Sequence, residues 1–125
     1  MLVRDCNNVV LYNNIYDFSG KDLSGGCMEH TQLPYAKFKN ADCQYTFFDH
    51  ADLSQCNFTG CDLSNARMVH ANLTGAIFKN AKLENTDFRH CHLGNADFRG
   101  CDVSTCNFEY CDTSTCNFKC LTQWH

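Results

Sequence analysis

From Phe18 to Phe118 a core-type residue recurs at every fifth position without a slip: Phe18, Leu23, Met28, Leu33, Phe38, Cys43, Phe48, Leu53, Phe58, Leu63, Met68, Leu73, Phe78, Leu83, Phe88, Leu93, Phe98, Val103, Phe108, Thr113 and Phe118. All but Cys43 and Thr113 are Phe, Leu, Met or Val. Two residues before each centre, from Gly26 to Cys116, the side chain is Gly, Ala, Thr or Cys. A period of five fits neither a helix at 3.6 residues nor a flat strand at 2, so the chain must turn a corner once per repeat.

A second period lies above the first. The centres Phe18, Phe38, Phe58, Phe78, Phe98 and Phe118 are alike at steps of twenty, and so are Leu33, Leu53, Leu73 and Leu93. Like follows like after four repeats, which predicts a four-sided coil whose equivalent faces stack like parallel strands about 4.8 Å apart. Residues 16–120 then make about five coils, a rod of roughly 25 Å. Helical repeats are excluded, because their units run to about 33 residues or more.

The segments Ala51–Gln55 (ADLSQ), Cys61–Asn65 (CDLSN), Ala71–Gly75 (ANLTG) and Ala96–Gly100 (ADFRG) resemble the A(D/N)LXX motif of the pentapeptide repeat family. The resemblance implies an all-β fold, a right-handed quadrilateral parallel β-helix, with the centre and the small residue inward and the other three positions outward. Handedness comes from the resemblance; the four sides come from the twenty-residue period.

The ends of a solenoid expose an unpaired edge and an apolar cross-section. Residues 1–15 keep no repeat and are read as an N-terminal cap in which Val9, Val10 and Leu11 lay a short strand over the first coil. Residues 121–125 form a C-terminal tail in which Leu121 and Trp124 serve as a lid or as an end-to-end dimer contact, the lid being preferred. The expected state is a monomer or an end-to-end homodimer.

Ten Lys and Arg against 14 Asp and Glu give a net charge of −4, which argues against direct nucleic-acid binding. Mean hydropathy is −0.39. No apolar stretch is long enough to span a bilayer, and no charged start precedes an apolar run, so the expected location is the cytoplasm, with no membrane contact. Eleven cysteines would ordinarily suggest a disulfide framework, but Cys56, Cys61, Cys91, Cys101, Cys106, Cys111 and Cys116 all fall in the small-residue slot, interchangeable with Ala. They read as reduced, buried thiols acting as small hydrophobes. Cys120, Cys6 and Cys27 lie outside that slot and are the expected accessible ones.

Stacking turns residues twenty apart into outward columns. His30, His50, His70 and His90 share one column, continued by Tyr110. Such imidazoles can stack, share protons or chelate a transition metal, but no Cys, Asp or Glu in the column completes a ligand set, and a plain surface ladder is preferred. Cys101, Cys106, Cys111 and Cys116 lie on successive sides of one coil and cannot converge on zinc. Cys91 and Cys111 are vertical neighbours, at a separation a disulfide tolerates. Lys39, Lys79, Arg99 and Lys119 form a basic column beside an acidic one of Asp22, Asp42, Asp62 and Asp102, which Lys82 interrupts. Together they are the candidate interaction surface.

No nucleophile motif, phosphate loop or paired-carboxylate site is present, and a solenoid filled by its own side chains has no substrate pocket. No enzyme and no cofactor are expected. The sequence favours a rigid protein-interaction or structural module. The family resemblance implies one alternative, a DNA-mimicking modulator of a type II topoisomerase, and the histidine column a second, metal binding.

Overall fold

The computed structural model describes residues 16–119 in full, together with the backbone of two strands, β1 (Leu2–Arg4) and β2 (Val10–Asn13). The strands form an antiparallel hairpin pairing Leu2 with Asn13, Val3 with Tyr12 and Arg4 with Val10. Of the strand expected at Val9–Leu11, Val10 and Leu11 lie in one arm of a hairpin; Val9 and the remainder of the proposed cap lie outside the described residues. So do Leu121 and Trp124.

From residue 16 onward the chain turns every five residues and pairs with itself every twenty. Parallel bridges run Asp17–Lys37–Asn57–Ile77–Asp97–Asn117 up one face. Equivalent series climb the others: Asp22–Asp42–Asp62–Lys82, Cys27–Phe47–Arg67–Asp87–Asn107, and Gln32–Asp52–Asn72–His92. The four-sided coil follows from those partners. Each side is one short extended piece and one β-turn, closed by the N–H of the small residue donating to the carbonyl of the preceding centre, as Ala41 to Phe38 at 3.0 Å. The corner residue has positive φ in every repeat from Gly20 to Gly100, and again at Tyr110, between 57° and 77°. With the closing hydrogen bond this is the geometry of a type II turn.

The backbone donors explain the motif. In Phe38–Asp42, for example, the centre and corner N–H groups donate to the next coil (Phe38 to Asn57 O, Asn40 to Thr59 O), Ala41 closes the turn, and Asp42 donates to Lys21 O in the coil before. The residue after the centre, Pro34 apart, keeps an N–H with no backbone acceptor, and where an Asp or Asn stands two positions earlier it supplies one, as Asp17 to Ser19, Asp52 to Ser54, Asn57 to Thr59, Asn72 to Thr74 and Asp112 to Ser114, all at 2.9–3.1 Å. An unpaired peptide donor costs about 1–3 kcal/mol where water is excluded, which favours Asp and Asn at this position.

Inside, Phe18, Phe38, Phe58, Phe78, Phe98 and Phe118 stack face to face at centroid spacings of 4.7–5.1 Å. The first five are fully buried, and Phe118, at the end of the described coils, is half-buried. From the opposite side Phe48, Phe88 and Phe108 meet that stack edge-on at 5.5–6.2 Å, with interplanar angles of 83–90°. Edge-to-face and offset contacts suit the ring quadrupole and add about 0.5–1.5 kcal/mol per pair to area burial. No buried side-chain N or O among the described residues lacks a partner.

Two corners break the pattern. Thr105 and Thr115 are absent from the positive-φ corners, as expected for a β-branched residue, which is strained there. Their turns still close, Cys106 to Val103 O and Cys116 to Thr113 O at 3.1 Å. The central peptide is reoriented, however, so the carbonyls of Ser104 and Ser114 are not the acceptors for the coil before. The Thr hydroxyls take that place, accepting from Asn85 and Asn95 N–H at 2.9 Å. On these two opposite sides the bridges Lys82–Asp102 and His92–Asp112, which the repeat would continue, do not form. On these two sides the last described coil meets its neighbour through side-chain hydrogen bonds in place of the backbone bridge, and on the other two it keeps the bridges Asp87–Asn107 and Asp97–Asn117.

Candidate interaction surfaces

The histidine column is real and ordered by the fold. His30, His50, His70 and His90 occupy positive-φ corners, so a fixed backbone aims each ring the same way. Successive rings stack at 5.0, 4.9 and 4.5 Å with interplanar angles of 2–10°, and Tyr110 caps the series 4.6 Å above His90. At His70 the pKa is lowered, first by desolvation within the stack and then by the imidazoles of His90 and His50. Parallel rings send their in-plane lone pairs along parallel lines, whereas a metal needs nitrogens converging within about 2.1 Å of one point. Among the described residues no group of three or more His, Cys, Asp or Glu is placed to hold an ion.

The two charged columns differ in kind. Asp22, Asp42, Asp62 and Asp102 each accept the N–H of Ser24, Gln44, Ser64 and Ser104 respectively at 2.9–3.1 Å. They are turn-building residues before they are a surface stripe, and the hydrogen bonds from Ser24 and Ser104 hold the Asp22 and Asp102 carboxyls below the usual range. In the basic column Arg99 is paired with Asp97 at 2.7 Å, whereas Lys39, Lys79 and Lys119 are exposed and make no ion pair among the described residues.

One carboxylate outside the acidic column bridges two coils. Asp49 binds Arg67 Nε at 2.7 Å and accepts the Val69 N–H at 3.1 Å. Position 67 carries Arg where the motif has Asp or Asn, and Asp49 from the coil before supplies the missing acceptor. The signal was legible: an acidic residue eighteen positions before a basic one, in a repeat of twenty.

The cysteines do more than fill space. The Sγ of Cys56, Cys91, Cys101, Cys106, Cys111 and Cys116 donates to the carbonyl of the centre 23 residues earlier at 2.7–3.1 Å, as do the hydroxyls of Thr46 and Thr86 at 2.9 Å. That carbonyl already closes its own turn, so Cys and Thr satisfy its second lone pair, which Ala cannot. The expected burial holds for Cys56, Cys61, Cys91 and Cys101; Cys106, Cys111 and Cys116, in the last described coil, are only half-buried. Burial pushes the thiols of Cys56 and Cys106 up to about 12. Cys61 is raised by its hydrogen bond with Cys43 and by burial. Cys27, expected to be an accessible thiol, is instead disulfide-bonded, to a partner outside the described residues.

Where the ladder opens, two grooves form. One, of about 600 Å³, is lined by His90, Cys91, His92, Tyr110, Asp112 and Thr115 among others. Its counterpart on the opposite side, about 390 Å³, is lined by Ala81, Lys82, Glu84, Asp102 and Thr105 among others.

Comparison with known proteins agrees with this geometry. Residues 51–123 match the family described as pentapeptide repeat region, and residues 17–55 match pentapeptide repeats (8 copies). The chain belongs to the pentapeptide repeat family. Among solved structures, the pentapeptide repeat protein Rfr23 from the cyanobacterium Cyanothece 51142 superposes with a TM-score of 0.67 at 24% identity, over 70% of this chain and 60% of that one. A pentapeptide repeat protein from the Arabidopsis thaliana thylakoid lumen superposes with a TM-score of 0.57 at 30% identity, over 69% and 63%. The chain thus spans less than two thirds of each of these two. QnrB1, a plasmid-mediated fluoroquinolone resistance protein, reaches a TM-score of 0.48 at 23% identity over 82% and 67%, too loose for its role to be carried over. No curated protein matches the chain. These pentapeptide repeat relatives form right-handed β-helices, in keeping with the fold expected from the motif. Among the described residues no helix is long and apolar enough to cross a membrane.

Proposed function

We propose that this pentapeptide repeat protein is a non-enzymatic, rigid interaction module that presents fixed columns of side chains to a protein partner. The observation that carries the reading is the contrast between inside and outside. The interior is filled by its own stacked rings, while Lys39, Lys79 and Lys119 stand exposed along one column, with no ion-pair partner among the described residues. A repeat of twenty residues spaces such groups at multiples of about 4.8 Å, and a charged column of fixed spacing favours a partner of opposite charge, speeding encounter and setting register. The partner this surface suits is an acidic protein face.

The eight free thiols among the described residues favour a reducing compartment such as the cytoplasm, and the Cys27 disulfide an oxidising one; fractionation of the native protein decides between them. The functional test is retention of a partner by the wild type and by a Lys39→Glu, Lys79→Glu, Lys119→Glu variant with the same circular dichroism. The expected outcome is a partner held at low salt, weakened as salt rises, and lost by the variant. Equal retention by both proteins overturns the basic column as the interface. Altered supercoiling by purified gyrase, in the same preparation, would instead move the reading to topoisomerase modulation.

A further inference from the structure

We infer that Cys91 and Cys111 form a peroxide-reactive thiol pair whose oxidation to a disulfide pins the last described coil to the one before it. Three observations converge on these residues. Within the small-residue column Thr31, Ala51, Ala71, Cys91, Cys111, they are the vertical neighbours that both carry sulfur, and each donates its S–H to the carbonyl of the centre 23 residues earlier, Met68 and Phe88, at 2.7 Å. Parallel rungs about 4.8 Å apart lie within the Cα separations of about 4.4–6.8 Å that a disulfide spans.

The second observation is access. The bridge His92–Asp112 beside the pair is not made, and Cys91 lines the groove that opens there, with His90 and His92 at its wall. Cys111 is half-buried, between the groove-lining Tyr110 and Asp112 in sequence, so part of its surface is open to a small oxidant.

The third is reactivity. When Cys111 ionises, the Cys91 S–H can turn from the Met68 carbonyl to the thiolate, which brings the Cys111 pKa down to about 7, against the opposing effect of burial. The proton-retaining partner, Cys91, is raised by the same hydrogen bond and by burial. Cys106 and Cys116 supply an internal control, since both are half-buried in the same coil and both are raised, Cys106 to about 12. Neither stacks on a cysteine; the residues twenty before them are Thr86 and Ala96.

The chemistry balances with hydrogen peroxide as oxidant. The Cys111 thiolate attacks one peroxide oxygen, the O–O bond breaks, and hydroxide leaves to be protonated to water, giving a sulfenic acid. The Cys91 sulfur then attacks the Cys111 sulfur, the S–O bond breaks, and the departing hydroxide takes the Cys91 proton as a second water. Two thiols and one peroxide become one disulfide and two waters.

The test uses the full chain treated with hydrogen peroxide at pH 7, followed by alkylation and peptide mapping. Cys111 is expected to be consumed at least about tenfold faster than Cys106 or Cys116, because thiolate fraction outweighs the accompanying loss of nucleophilicity, with a linked 91–111 peptide as product. Cys91→Ala keeps a residue the same column already accepts at Ala51 and Ala71. In that variant Cys111 is expected to yield a dimedone-trapped sulfenic acid and no linked peptide, while Cys111→Ala leaves Cys91 unreacted. Equal rates at Cys106, Cys111 and Cys116, or a wild-type product without the 91–111 link, overturn the pair. Should either variant misfold by circular dichroism, the wild-type rates and linkage decide alone.

Discussion

A single five-residue unit assigns each position a separate physical task. The centre fills the interior, the preceding Asp or Asn accepts an otherwise unsatisfied N–H, the corner residue adopts positive φ, and the small residue closes the turn. At the corners the tasks interlock between coils. Gly60 and Gly100 lie against the side chains of Asn40 and Asn80, so that a Cβ at either glycine would collide with the amide oxygen twenty residues earlier. Gly and Asn, which alternate up that column, both tolerate the positive φ of the corner, and at Gly60 and Gly100 the missing Cβ leaves room for the Asn side chain of the coil before. The centre is the least forgiving position. Phe58 is fully buried between Phe38 and Phe78, with Phe48 edge-on, and Phe58→Ala is expected to cost about 3–5 kcal/mol as an unfilled cavity. Denaturant unfolding measures it; a loss below about 1 kcal/mol would mean that the neighbouring rings collapse into the gap.

One side of a coil is the element of this fold, and what it pairs with depends on its corner. Asn tolerates positive φ and Thr does not. At Thr105 and Thr115 the hydroxyl replaces one backbone acceptor, but the adjoining ladder bonds of Leu83 and Leu93 are not made. Thr105→Asn is expected to restore the type II turn and with it the bond from Leu83 N–H to Asp102 O. The readout is amide hydrogen exchange, with protection at Leu83 increased and Leu93, beside the unaltered Thr115, unchanged. No gain at Leu83 would place the cause of the opening elsewhere than in the corner.

Across the whole molecule, the columns couple coils that are not adjacent in sequence, and the histidine stack gives this a pH dependence. The His70 pKa is lowered from 6.5, so between the folded and unfolded values the unfolded chain binds more protons. Stability from this source is full above the unfolded pKa and is lost as pH falls through that value towards the folded one. NMR titration is expected to give a His70 midpoint below 6.5, and the unfolding midpoint to decline as pH drops through the same range. Replacing both flanking rings, as in His50→Gln with His90→Gln, should move the His70 midpoint upward by removing two like charges. A midpoint unmoved by those changes would mean that the stack does not lower it.

Much of this was legible in the sequence because the fold is periodic. A residue every five positions that must be buried, and a likeness every twenty, determine the turns, the stacking partners and hence every outward column, before any side chain is placed; the Phe18–Phe118 ladder and the His30–His90 stack both stand where the period puts them. Local exceptions were not legible in the same way, because they depend on hydrogen-bond direction rather than on polarity. The cysteines of the small slot read as apolar fillers, yet their thiols donate to carbonyls 23 residues earlier. The acidic column read as a surface stripe, yet each of its four carboxylates holds its own turn. Thr105 and Thr115 fit the period as well as any residue, and only the tertiary structure decided that their corners turn the other way and break the backbone ladder, since a β-branched side chain changes the backbone without disturbing the hydrophobic pattern.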